Sequence, residues 1–136
     1  MFKKISPSKI ISLNNKLLSN LTIGMILIFL VGIIYALFIS PPDYIQGDSV
    51  RIMYVHVPSS FISLGCFALI GITSLFNIIF RIKVMPLIGK SLAPIGCTFS
   101  LITLVTGSLW GKPTWGTWWV WDARLSSMLL LFIFYI

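Results

Sequence analysis

From Leu21 to Ile39 the chain runs without a single charged residue. No other feature narrows the possible folds as much. A backbone crossing hydrocarbon has no water to bond to, so it must satisfy its own N–H and C=O groups as a helix or a closed barrel. About 20 apolar residues in a helix cover the ~30 Å of a bilayer core. A second such run extends from Val57 to Phe80 and stops at Arg81-Ile82-Lys83. A third extends from Ser91 to about Leu109 and stops at Trp110-Gly111-Lys112-Pro113. A fourth starts near Leu125 and is still apolar at Ile136, about 18 Å of helix and too short to span. Composition agrees: 57% of residues are hydrophobic and 10% charged, where a soluble domain carries about 25% charged residues. That balance excludes a soluble enzyme and a disordered chain. The reading is all-α: a polytopic transmembrane helix bundle with three full spans and an incomplete fourth.

Ten Lys and Arg face three Asp and Glu, a net charge of +7. In a membrane chain this excess reports orientation before any nucleic-acid partner. Lys3, Lys4, Lys9 and Lys16 precede the first span, and Arg81, Lys83 and Lys90 follow the second, all without a neighbouring acid. On the other side Arg51, Lys112 and Arg124 are balanced by Asp43, Asp48 and Asp122. The whole excess therefore lies on one side, which is assigned to the cytoplasm. Residues 1–20 form a cytoplasmic basic tail, and 21–136 a membrane domain with outward segments at Pro41–His56 and 110–124. Within the tail, Ile10, Leu13 and Leu17 at helical spacing fit a short helix lying on the inner interface, or a merely solvated tail. The first run is too long for a signal peptide, and Phe38 stands where a small residue would precede a cut after Ser40.

Other motifs are few. Cys66 and Cys97 form no CxxC pair and read as small buried residues. Gly32-x-x-x-Ala36 and Gly107-x-x-x-Gly111 permit close helix packing. There is no Ser/His/Asp set, phosphate loop or nucleic-acid motif, so the chain is not read as an enzyme.

All five tryptophans lie between Trp110 and Trp121. An aromatic belt would distribute Trp over several span ends; here the other ends have none. The cluster reads as a functional surface: a broad indole face suits a large planar apolar ligand, with N–H groups for its polar edge. The intervening Gly, Thr and Pro residues are expected to break the helix and let the segment lie along the membrane surface. Arg124 suits a ligand carboxylate or a snorkelling position. Asp122 suits the N-cap of the fourth helix, a partner for Arg124 or a tryptophan N–H, or both kinds of role together. His56, the single histidine, lies at the outward mouth of the second span, with Pro58 read as the start of its helix. A neutral imidazole there is an axial ligand for haem iron or a structural group. Arg51 is a second candidate for a propionate, or a solvated loop cation.

The stretch from Trp110 through Trp115-Gly116-Thr117-Trp118-Trp119-Val120-Trp121-Asp122-Ala123-Arg124 resembles the tryptophan-rich WWD signature of haem-handling membrane proteins. With Arg51-Ile52-Met53-Tyr54-Val55-His56-Val57-Pro58 it resembles the haem exporter protein C (CcmC) family of cytochrome c maturation. The resemblance implies haem export and delivery at the outer face of a bacterial or organellar inner membrane. Haem b would be handed to a periplasmic haem chaperone, alongside ABC-type transporter subunits. It implies haem contact for His56, as axial ligand, and for Trp115, Trp118, Trp119, Trp121 and Asp122. Beside that carry-over, the residues themselves offer Arg51 or Arg124 for the propionates. The family has six spans and a second outward histidine beyond the fourth. The chain reaches Ile136 before either and is expected to be a truncated or interrupted form. The alternative function is a non-catalytic assembly subunit whose tryptophans dock a partner protein.

Overall fold

The structure is a computed structural model that describes residues 7–82 and 84–136. Lys3, Lys4 and Lys83, assigned above to the inner side, lie outside the described residues. The chain divides into two compact units, Met1–Ser40 and Pro41–Ile136.

The first unit is one long helix. Helix α1 spans Pro7–Ile34 and widens into a π turn at Tyr35–Ile39. Helical backbone thus runs through the basic segment into the apolar run without a break. It stops at Ser40, whose N–H bonds Tyr35 O five residues back, and whose hydroxyl bonds Ala36 O at 2.6 Å. Pro41 and Pro42 follow, and the residue ahead of a proline is pushed out of helical geometry; Ser40 has ψ 141°.

The second unit packs three helices. A 3-10 turn at Asp48–Ile52 leads into α2, Met53–Phe80. Helix α3 spans Met85–Trp115 and α4 spans Ala123–Tyr135. Three apolar stretches are long enough to cross a membrane: Leu21–Ile39, Asp48–Phe80 and Met85–Trp115; Ala123–Tyr135 is shorter. The expected three long apolar helices and shorter fourth are therefore present, with different ends.

Two ends correct the sequence reading. Helix α2 begins at Met53, ahead of Pro58. Pro58 has no N–H for the Tyr54 carbonyl, a single lost bond that the flanking turns tolerate. His56 therefore sits within the helix and is held on one of its faces. Helix α3 likewise passes through Gly111, Lys112 and Pro113 to Trp115. Pro113 falls in the last turn, where it costs one bond. The stop is Gly116, at φ 77°, whose N–H bonds Lys112 O at 3.0 Å. Glycine adopts this left-handed cap without a Cβ penalty. Within the tryptophan segment, only the short stretch from Gly116 to Asp122 leaves helical geometry.

Helices α2 and α3 meet through small side chains. Ser59, Ser63, Cys66 and Thr73 are buried on α2, and Gly96, Ser100, Thr103 and Gly111 on α3. Large apolar residues such as Phe61, Ile78 and Phe134 point outward. This is the arrangement expected in lipid, where close van der Waals packing replaces the hydrophobic drive between helices. The buried hydroxyls bond back into their own helices: Ser59 to Val55 O, Thr73 to Leu69 O, Ser100 to Cys97 O and Thr103 to Phe99 O. Their polarity is thus spent locally, and their small volume serves the seam. Ser63 instead reaches across to Gly96 O at 3.3 Å.

Helix α4 closes onto this seam by its last turn. Tyr135 donates its hydroxyl to Ser63 O at 2.6 Å. Its ring lies where a side chain on Gly96 would be. Phe67 packs against both Phe134 and Tyr135.

Candidate functional site

The site is built where α2 and α4 begin and α3 ends. Asp43 organises the turn before α2. Its carboxylate accepts from the N–H groups of Ile45 and Gln46 at 2.9 and 2.8 Å. The Gln46 N–H, then that of Ile45, hold this carboxyl below the ordinary aspartate value. Gln46 in turn accepts from Trp110 Nε1 at 2.9 Å, which ties the turn to α3. Trp110 then meets the His56 ring edge-on, at 5.7 Å between centroids. His56 Nδ1 lies 3.0 Å from Thr106 Oγ1.

Asp122 supports the opposite wall. It caps α4 by accepting the Leu125 N–H at 2.8 Å, and the same carboxylate holds Arg124 at 2.7 Å. Both roles weighed from the sequence therefore hold together. The Leu125 N–H, then Arg124, keep the Asp122 carboxyl below its ordinary value. The Arg124 guanidinium lies over the Trp115 ring at 5.4 Å, a cation–π distance.

Between these walls lies a partly open cavity of about 520 Å³. His56, Ser60 and Leu64 line it from α2; Thr103, Gly107, Trp110 and Trp115 from α3. Trp119, Arg124, Leu125, Met128 and Leu131 line it from the other side, with Leu104, Thr114 and Ser127 also on its wall. Its size lies in the range of small-molecule sites, and its lining is mostly apolar with a few placed polar groups.

The structure thus brings together four sequence candidates: His56, Trp115, Trp119 and Arg124. Asp122 stands behind Arg124 without lining the cavity. Trp118 and Trp121 lie outside it, 55% and 78% exposed. Lys112 sits 5.8 Å over the Trp118 ring, and Trp121 meets Trp119 edge-on. Arg51 pairs with Asp48 at 3.3 Å in the outer turn and does not line the cavity. Trp119 Nε1 is buried with no hydrogen-bond partner among the described residues.

Three participants escaped the sequence reading. Trp110 was visible as part of the cluster but carried no individual signal. Gln46 and Thr106 reach their partners across 64 and 50 residues, separations that no local pattern reports. Gly107 does serve close packing, though against a ring: a side-chain carbon there would come within 3.0 Å of His56 Cε1.

The family profile described as Heme exporter protein C matches residues 1–136. The chain is 45% identical over 116 residues to Heme exporter protein C of Escherichia coli (strain K12), covering 85% of this chain and 47% of that protein. It is 48% identical over 106 residues to the Haemophilus influenzae protein of that name, covering 78% and 43%. The Bradyrhizobium diazoefficiens protein of the same name is 38% identical over 131 residues, 96% of this chain and 49% of its own length. The chain thus spans about half the length of the curated relatives it matches.

Proposed function

The chain belongs to the haem exporter protein C family, and on that premise we propose that it holds haem b for export and delivery in cytochrome c maturation. The haem is cargo, bound at the outward face of the inner membrane and passed to a periplasmic haem chaperone. ABC-type transporter subunits are the membrane partners, and lipid covers the outward aliphatic faces. The observation that carries this reading is the convergence of His56, three indoles and Arg124 on one apolar cavity.

The roles follow from chemistry. An imidazole nitrogen ligates iron. Trp110, Trp115 and Trp119 offer flat polarisable walls to a porphyrin. The Arg124 fork, held by Asp122, matches a propionate. Arg51, paired with Asp48, belongs to the turn. Bound haem supplies only its own iron and π surface; the protein binds, orients and releases it. The exposed Trp118 and Trp121 favour a protein contact, since Trp is a frequent hot spot of interfaces. They are assigned to the chaperone, which absorbs the assembly-subunit alternative into the same molecule.

The test is spectroscopic. The chain is purified in detergent with haemin, and the Soret band is compared between wild type and His56→Ala. A band that depends on His56 is expected. A spectrum indifferent to that substitution would end the ligand assignment.

A further inference from the structure

We propose that Thr106 is a positioning residue that fixes the proton of His56 on Nδ1 and leaves Nε2 bare. The proposal deepens the ligand role assigned to His56 and rests on it. Thr106 Oγ1 has three close partners: the Ile102 carbonyl at 2.7 Å, the Thr103 carbonyl at 3.3 Å and His56 Nδ1 at 3.0 Å. A hydroxyl has one proton to give, and a backbone carbonyl can only accept. The hydroxyl proton therefore goes to Ile102, one helical turn back, and toward His56 the oxygen is an acceptor. Nδ1 must supply the hydrogen. The Thr103 carbonyl, the longer of the two backbone contacts of this hydroxyl, likewise can only accept.

A neutral imidazole carries one N–H, so Nε2 keeps its lone pair. It makes no hydrogen bond among the described residues, and His56 lines the cavity. The ring also has little freedom to turn over. Gly107 gives it room that any Cβ would remove. Trp110 closes on its edge, held there by Gln46. The arrangement is that of a ligand histidine whose second nitrogen is fixed by an outer partner, a contact that orients the ring and raises its basicity.

The single histidine makes a direct test possible. The haem-free chain, labelled with ¹⁵N-histidine in detergent, is examined by NMR at pH ~8.5, well above the ordinary histidine value of about 6.5. A protonated Nδ1 with a bare Nε2 is expected. A wild-type ring protonated at Nε2 would overturn the proposal without any variant. Thr106→Val should move the population toward Nε2–H and weaken haemin binding ~10-fold; Thr106→Ser should restore both. A Thr106→Val chain matching wild type in both readouts would remove Thr106 from the site while leaving His56 as ligand. A haemin spectrum unchanged in His56→Ala would remove the ligand role, and this inference with it.

Discussion

The same three helices do opposite things at two neighbouring levels. Around Ser63 and Gly96 they are sealed by residues with almost no side chain, and Tyr135 fills the space over Gly96. Around His56 and Trp115 they hold a cavity of about 520 Å³ walled by indoles. The helices, length and apolar character are shared; side-chain volume along the facing stripes differs. Small residues let backbones approach, and large flat ones leave a space that only another flat group fills. A closed seam thus anchors one end of the cavity's walls.

The largest effect should come from spoiling the sealed seam. Gly96→Leu places atoms where the Tyr135 ring now lies. Overpacking of this kind costs about 1–3 kcal/mol. Denaturation of the detergent-solubilised chain, followed by circular dichroism, should show that loss. Haemin binding should fall too, because α4 supplies one wall of the cavity. Full haemin binding in this variant would mean that the seam and the cavity are independent.

Next comes the division among the tryptophans. Trp115→Ala and Trp119→Ala should weaken haemin binding. Trp118→Ala and Trp121→Ala should leave it near wild type and lower capture by the haem chaperone. Equal haemin losses from both pairs would erase the distinction between cavity and outer face.

The smallest effect concerns Asp122. Its carboxyl titrates below the ordinary aspartate value, so its contribution is fully present above about pH 3.9 and is lost as pH falls through the lowered native value. Hydrogen exchange at the Leu125 amide should therefore quicken only in strong acid. Asp122→Asn should keep the cap and abolish that pH dependence. Quickening already near pH 5 would show that the carboxylate is not what holds this turn.

Much of this was legible in the sequence because membrane spans are written in runs. A charge-free stretch such as Leu21–Ile39 allows few alternatives. Asp122 was legible as a cap because its signal is local. Pro113 misled because a proline interrupts a helix only where its missing bond and ring matter; near the last turn they matter little. The true stop was Gly116, one glycine among several. The small-residue seam was harder. Ser59, Ser63 and Cys66 recur at helical spacing, yet their purpose depends on Gly96 and Ser100 facing them. Which stripes meet is a tertiary fact. The pairing of His56 with Thr106 is of the same kind.

Because most seam hydroxyls bond within their own helix, α2 and α3 are joined more like two smooth rods than like a zipper. The cross-helix ties sit at separate points: Ser63 with Gly96 and Tyr135 at one level, and His56 with Thr106 at another. Adjusting the width of the cavity mouth therefore strains the His56–Thr106 rivet, while the Ser63 rivet holds the helices further along the joint.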